Sequence, residues 1–545
     1  MPKTPKKGTL NEFKKLVEEY SSQEGIPLGR PVLGERTLTS FKVRIPFSSL
    51  TKHGLIAGST GTGKSRAVQE MAEMLCEAGI PVLLSDVKGD VSGCATEGSE
   101  ERARQRATET SYDWSPKAYP TNYWSATERL IPLRLSIGDV DPILLSRLMG
   151  LNPTQESHLV TAFIYASRKG RRLSDWREVM NLIEELKANP DEMAGINANS
   201  MDVVLRKMAE LEAEGFGELF GEPSLEIVDL IRESRINVLN LADVRRKSEY
   251  FSIIIGFILY EVFKDFPDVG EVEKPKLVIF FDEAHYLFEG ANKTLVSLMA
   301  NVLRQIRSKG VGVFFITQDA SDLPEQIRKM LGTKIQFAVR AFTGKELVDI
   351  RNTAKSFPPS SFYKLEEELK KLEAGVSFVS SLDERGKALE PLKVVWYPPK
   401  SFMDVVDEAE LISSARKNEL SKKYGRREKG VLPFSRILEN PTGKKDVVNR
   451  AEVQRKNGKT FRWFKGFLRY VGVFVLWFVD LILKIIWKTI NYLLFKPLRS
   501  FVVWMTKKPK RIIFLALVLA TLYLVLSYLS EVREIVKVVK ETLGW

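Results

Sequence analysis

Residues 58–65 read Gly-Ser-Thr-Gly-Thr-Gly-Lys-Ser, and few octapeptides restrict a fold as tightly. The spacing G-x-x-x-x-G-K-[ST] provides glycines that let consecutive backbone N–H groups wrap a phosphate. It adds a lysine that reaches the β/γ oxygens and a hydroxyl that ligates Mg²⁺, all at the start of a helix. The flanks supply the required context: a strand-like Leu55–Ala57, a helix over Ser65–Ala78 and a second strand at Val82–Leu84 form a βαβ unit. A parallel α/β sheet follows. Gly58, Ser59, Thr60, Gly61, Thr62, Gly63, Lys64 and Ser65 are its expected nucleotide-binding residues, and ATP with Mg²⁺ is the expected ligand.

A second motif supports the first. Leu277–Phe281 is an unbroken apolar run, the pattern of a strand buried on both faces, and Asp282-Glu283 lies at its carboxyl end, where ligands bind in parallel sheets. Asp282 is the expected Mg²⁺ residue, acting through water, and Glu283 the expected activator of the attacking water. A capped helix start after a core strand is the plainer reading of the pair. A third strand, Val311–Ile316, ends in Thr317-Gln318, whose amide would orient the water or sense the γ-phosphate from a neighbouring strand, the arrangement of an additional-strand ATPase.

Further strands at Ile236–Leu239, Lys334–Ala338 and Val376–Ser380 alternate with helices, and residues 140–235 carry long helical periodicities. The expected organisation is a lead-in segment over 1–45, an α/β ATPase domain over 46–399 with a mostly helical insertion at about 100–235, a charged helix and linker over 400–460, and an apolar tail over 461–545. With Cys76 and Cys94 as its only cysteines and His53, His158 and His285 as its only histidines, the chain has neither a disulfide framework nor a Cys/His zinc cluster. Met1–Lys7 is basic without a following apolar stretch, so no secretory signal is expected and the bulk of the chain is expected in the cytoplasm.

The ordered set of motifs resembles the HerA-like ATPases of the HerA/FtsK superfamily, in the bacterial branch without an N-terminal β-barrel. It comprises residues 58–65, Ser85-Asp86-Val87-Lys88-Gly89-Asp90, Phe281-Asp282-Glu283-Ala284-His285, Ile306-Arg307-Ser308-Lys309-Gly310-Val311-Gly312 leading to Thr317-Gln318, and Val339-Arg340-Ala341-Phe342-Thr343. The resemblance covers about residues 45–395. It implies a RecA-like core, a homo-oligomeric, hexameric ring with ATP between subunits, and movement of double-stranded DNA or a related polymer through the pore. Arg307 matches the family's arginine finger and Arg340 is a second candidate, although each also fits a solvated surface or an ion pair. Asp86 fits either an accessory role or a cap on its own turn. The aromatic group Tyr112, Trp114, Tyr119, Tyr123 and Trp124 reads as packing rather than a base-stacking platform, and nothing gives His285 a role.

The tail departs from that family pattern. Ile512–Leu529 is an 18-residue run without a charge, just long enough at ~1.5 Å per residue to cross a hydrocarbon core. Lys507, Lys508, Lys510 and Arg511 precede it, placing that end in the cytoplasm with the ATPase. Residues 470–495 carry Asp480, Lys484 and Lys488 on one helical face, which favours an in-plane amphipathic helix over a second span. The formal charge of the chain is +13, yet residues 444–511 hold 17 Lys/Arg against 3 Asp/Glu. The basic excess therefore sits beside the membrane segment, where membrane lipids of an anionic leaflet attract it, and does not by itself argue for nucleic acid.

The leading expectation is thus a ring-forming ATPase tethered to a membrane, on a bacterial inner-membrane pattern, that translocates DNA. The competing readings are an anchored assembly or secretion ATPase acting on protein, and a nucleotide switch that recruits a nuclease or other effector. Stimulation of turnover by DNA, stimulation by protein alone, or tight ATP binding without turnover would separate them.

Overall fold

The computed structural model describes residues 8–425, apart from 100, 127–128, 190–196, 214, 243–247, 290–292, 341–343 and 384. Its strands are β1 (Gly25–Leu33), β2 (Arg36–Thr37), β3 (Val43–Pro46), β4 (Gly54–Ala57), β5 (Val82–Asp86), β6 (Thr121–Ser125), β7 (Ile131–Pro132), β8 (Ile236–Asn240), β9 (Leu277–Phe281), β10 (Val311–Thr317), β11 (Thr333–Gln336), β12 (Val376–Ser380) and β13 (Leu392–Trp396). They form one sheet in the order β2-β1-β13-β12-β11-β4-β10-β9-β5-β8-β6-β7, with β3 paired to β1. From β11 to β7 every pairing is parallel. The β1, β3, β12 and β13 pairings are antiparallel.

The chemistry of the central strands explains their position. β4, β5, β9 and β10 are buried along their whole length, as a sheet covered on both faces requires. Gly54 lies so close to Phe314 on β10 that a Cβ there would come within 2.2 Å of the ring. Because β4, β10, β9 and β5 are parallel neighbours, Ala57, Thr317, Phe281 and Asp86 all finish at one edge, and the loops that follow them meet there.

The N-terminal residues are part of this sheet. β1 pairs with β13 through Gly29↔Trp396 and Pro31↔Val394, and with β3 across a register shift between Pro27 and Gly29. The insertion holds helices Pro142–Leu148, Pro153–Arg168, Trp176–Ala188 and Ala198–Ala213. Asn152 closes a capping box on the second of these, and Trp176 is buried against Phe216 and Phe220. The insertion is not helical throughout, since β6 and β7 fall within it and extend the sheet. Tyr123 and Trp124 on β6 are buried, so these aromatics are packing.

Beyond β13 the chain stays on the domain. Helices Glu408–Lys417 and Glu419–Tyr424 end in a clamp. The Tyr424 ring meets Trp124 edge-on at 5.2 Å, its hydroxyl donates to Asp229 Oδ2 at 2.5 Å, and its carbonyl accepts from Arg134. Lys423 adds an ion pair to Asp229 at 2.7 Å. Tyr424→Ala removes a buried ring and one of the donors to Asp229, which keeps Lys423, so a local loss of roughly 3 kcal/mol is expected, most of it from the lost ring. The loss should appear as reduced amide-exchange protection in β6 and in Glu419–Tyr424.

Among the described residues no helix is long and apolar enough to cross a membrane. The membrane segments expected at 470–495 and 512–529 lie outside the described residues, as do 426–460 of the linker and Ala341 to Thr343.

Candidate active site

The loop Gly58–Gly63 joins β4 to the helix Lys64–Glu77. Its glycines are required by space as well as by backbone angle. Gly58 has φ 152° and a Cβ there would lie 2.6 Å from Phe337 Cβ; Gly63 has φ 108° and a Cβ there would lie 2.9 Å from Gly375 N. The loop is braced from outside: Ser59 N–H donates to Ala338 O at 2.9 Å, and Gly375 N–H donates to Thr62 O at 2.9 Å. Within it Thr62 Oγ1 donates to Ser59 O at 2.7 Å. Lys64 turns its ammonium back onto the loop carbonyls, Gly58 O and Ser59 O (3.1 Å for the latter). Burial and the nearby Lys88 lower its pKa, with Asp282, Glu283 and Asp90 opposing. An anion at the helix start would relieve that penalty.

Three carboxylates gather opposite this loop. Ser65 Oγ donates to Asp90 Oδ2 at 2.9 Å. Asp282, directly after β9, donates its N–H to Ser85 Oγ at 2.9 Å. The second oxygens, Asp90 Oδ1 and Asp282 Oδ2, are buried without a hydrogen-bond partner. Burial pushes Asp282 up to about 7; Lys88 pulls it down, while the Glu283, Asp90 and Asp86 carboxylates add to the rise. Such a set is matched to a cation.

Glu283 is the conformational outlier of the site. Its backbone is left-handed, φ 48° and ψ 46°, a geometry that costs a non-glycine residue about 1 kcal/mol or more and clusters at functional positions. The residue is 5% exposed. Lys88 pairs with its Oε1, Gln318 Nε2 lies 3.5 Å from the same oxygen, and His285 Nδ1 lies 3.3 Å from Oε2. Burial alone would raise its pKa, but His285 and Lys88 together hold it down at about 2. Gln318 also accepts from Thr60 Oγ1 at 3.2 Å, so one amide spans the phosphate loop and the acidic strand end. β10, between β4 and β9, makes that bridge possible.

The other expected residues fall into three places. Asp86 accepts from the N–H groups of Lys88 (3.2 Å), Gly89 (2.7 Å) and Val91 (3.1 Å), so it caps the turn that presents Lys88 and Asp90. Arg340 reaches the loop through its backbone, donating N–H to Ser59 Oγ at 2.9 Å, with an exposed side chain. Arg307 is not brought to the site. It sits at the end of helix Lys293–Ser308, ahead of β10, so the seven residues Val311–Thr317 separate it from Gln318, a span of roughly 20 Å. Its half-exposed guanidinium lies 3.7 Å from the exposed Glu271 and shares a shallow cavity with Lys52 and Arg304.

Lys88, Asp90 and His285 were not expected as site residues. A run of charged residues just past a parallel strand was the available signal for the first two, but their partners follow only from the adjacency of β5 and β9.

A phosphate loop on a parallel sheet, with an acidic strand end one strand removed, defines a P-loop ATP hydrolase. The family described as "Helicase HerA-like C-terminal" matches residues 33–464. The chain belongs to this HerA-like family. It is similar to the DNA double-strand break repair helicase HerA of Sulfolobus acidocaldarius, 22% identical over 329 residues, covering 56% of this chain and 58% of that protein. It is similar also to HerA of Saccharolobus solfataricus, 22% identical over 354 residues with 62% and 63% covered. The DNA import protein CedB of S. acidocaldarius is 24% identical over 314 residues, with 55% and 45% covered. The chain thus spans less than two thirds of the length of these relatives. Among solved structures it is similar to the bacterial conjugative coupling protein TrwBdeltaN70, with a TM-score of 0.49 and 14% identity over 72% of this chain and 93% of the other.

Proposed function

We propose that this chain is a ring-forming, membrane-tethered ATPase that couples ATP hydrolysis to movement of double-stranded DNA. The observation that carries the ring is the position of Arg307. Lys64, Ser65, Asp282, Glu283 and Gln318 surround one cleft, while this arginine lies at the opposite edge of the sheet, out of reach of that cleft and placed where a neighbouring copy would meet it. The relatives named for DNA repair and DNA import support DNA as the substrate.

In this reading Gly58–Ser65 wraps the phosphates and Lys64 reaches the β/γ oxygens. Ser65, and Asp282 through water, with Asp90 behind Ser65, would hold Mg²⁺. The two orphaned carboxylate oxygens fit that ion. When bound there, Mg²⁺ would supply positive charge to offset that of the phosphates. Glu283 orients and deprotonates the attacking water, Gln318 positions it, Arg307 of a neighbouring copy meets the transition-state charge, and Arg340 flanks the loop. Asp90→Asn is expected to raise the Mg²⁺ concentration for half-maximal turnover about tenfold, the usual scale for a group behind a metal ligand. A magnesium titration of ATP turnover checks it.

Tethering rests on Ile512–Leu529 and the basic residues before it. Extraction from membranes by detergent but not by high salt is expected, with a tag after Trp545 protected from protease in sealed inside-out vesicles. Release by salt alone contradicts the span. Translocation is tested by displacement of a third strand from a DNA triplex: the full chain with ATP should displace it and Glu283→Gln should not.

A further inference from the structure

A cavity of about 520 Å³ opens at the edge of the sheet away from the phosphate loop. Its walls are Asp139, residues 224–231 ahead of β8, and the last turn of helix Ser248–Asp265 with Phe266 and Pro267 ahead of β9. The second and third walls lead into the amino ends of parallel strands, whereas Gly58–Ser65 follows the carboxyl end of one.

The lining joins apolar surface to charge of one sign. Leu225, Ile227 and Phe266 are buried, and Val228 is 48% exposed although apolar. The charged groups are Asp139, Glu226, Glu261 and Asp265 against Lys264 alone. Asp139 and Asp265 are exposed and make no side-chain hydrogen bond or ion pair among the described residues. Glu261 is 7% exposed, and its Oε1 is buried without a hydrogen-bond partner; Lys264 Nζ lies 3.6 Å from that oxygen, on an exposed side chain. Burial pushes Glu261 up to about 7; Lys264 opposes the rise, and Asp265 and Asp139 add to it. A buried carboxylate with an uncommitted oxygen, set in apolar surface, suits a cation carried on an apolar stem.

The chain brings such groups to the place. Lys423 pairs with Glu226 Oε2 at 2.8 Å, and the Tyr424 hydroxyl accepts from Glu226 N–H at 3.1 Å. The described residues therefore end, at Gly425, beside a wall of the cavity. The next seven, outside the described residues, are Arg426-Arg427-Glu428-Lys429-Gly430-Val431-Leu432: three cations against one carboxylate, then two apolar side chains. Seven residues reach up to about 24 Å, enough to cross a cavity of this size.

We propose that the cavity is the docking site of segment 426–432 of the same chain, with the basic side chains at Glu261, Asp139 and Asp265 and the apolar pair over Val228. It retains the start of the linker on the ATPase domain. The carboxylates gain the cations they lack, and the one exposed apolar side chain of the lining is covered.

The test uses the full chain. Trypsin cleavage after Arg426, Arg427 and Lys429 is followed by mass spectrometry, with cleavage after Lys444 and Lys445 as the internal reference. The double variant Asp139→Asn and Asp265→Asn, which breaks no contact among the described residues, is expected to speed cleavage of the first set about fivefold relative to the reference, the scale of two exposed ion pairs. Glu261→Gln, which keeps the size of the side chain, should act in the same direction. Under mild oxidation Val228→Cys combined with Val431→Cys should form a disulfide within one chain. Val405→Cys, 64% exposed in the segment that bonds Ser92 at the other edge of the sheet, should form none with Val431→Cys. Equal relative cleavage in wild type and both acidic variants overturns the docking site. So does a missing 228–431 disulfide, or one that joins differently tagged chains, which would give the cavity to a second copy.

Discussion

Glu283→Gln and Lys64→Ala should each lower ATP turnover by about a thousandfold or more, with the oligomer intact by size-exclusion chromatography. The two losses have different origins. Glutamine keeps the size of the Glu283 side chain and its left-handed turn, and it retains an acceptor for His285 and Lys88. What it loses is the charge that takes a proton from water. Nucleotide binding should therefore survive in Glu283→Gln. In Lys64→Ala a buried ammonium is removed from a loop whose carbonyls it bridges, so binding and turnover should fall together. Removing one preorganised charge from such a site typically costs about a hundred- to thousandfold, and these two residues face the same phosphoryl group. Release of phosphate measured beside equilibrium binding of a fluorescent nucleotide distinguishes the pair. Turnover near the wild-type rate in either variant contradicts the site.

Arg307→Ala is expected to cost a similar factor, since an arginine finger contributes about a thousandfold or more. Its decisive property is complementation. An Arg307→Ala chain retains Glu283 but cannot serve its neighbour; a Glu283→Gln chain cannot hydrolyse but still presents Arg307. Each is inactive alone. Mixed in equal amounts and allowed to reassemble, roughly a quarter of the interfaces join an intact Glu283 site to an intact Arg307. Turnover approaching that fraction of wild type is expected if interfaces act independently. No recovery, with exchange of subunits verified by differently tagged chains, contradicts a site shared between copies.

The parts of this protein legible in its sequence were those whose physics is local. Gly58–Ser65 carries its own backbone geometry, and Leu277–Phe281 and Val311–Thr317 announce burial on both faces by unbroken apolar runs. β1 was obscured because Pro27, Gly29 and Pro31 punctuate it. The sheet accepts them because Pro27 and Gly29 flank a register shift, and because Gly29 sits against the β13 backbone, where a Cβ would come within 2.0 Å of Val395 O. β13 follows a proline and is only five residues long. β6 lay hidden in an aromatic stretch whose Trp124 proved to be the seat for Tyr424, 300 residues further along the chain. Such partners cannot be read from spacing.

The same limit held at the site. Asp282, Glu283 and Gln318 stood out because each ends a strand of obvious character. Lys88 and Asp90 follow a strand as well, but their importance depends on β5 lying beside β9, and that order is a property of the whole sheet. The left-handed backbone of Glu283 was likewise invisible. It is set by the turn into residues 284–287, which lets one carboxylate meet Lys88, Gln318 and His285 together.

The proposal of a DNA-driven motor is tested most directly by the ATP turnover of the full chain with and without duplex DNA, at a fixed low salt concentration and again at high salt. Turnover is expected to rise several-fold with duplex DNA, to lose that rise as salt displaces phosphate contacts, and to show none of it in Glu283→Gln. Turnover that is indifferent to duplex DNA at low salt would contradict it.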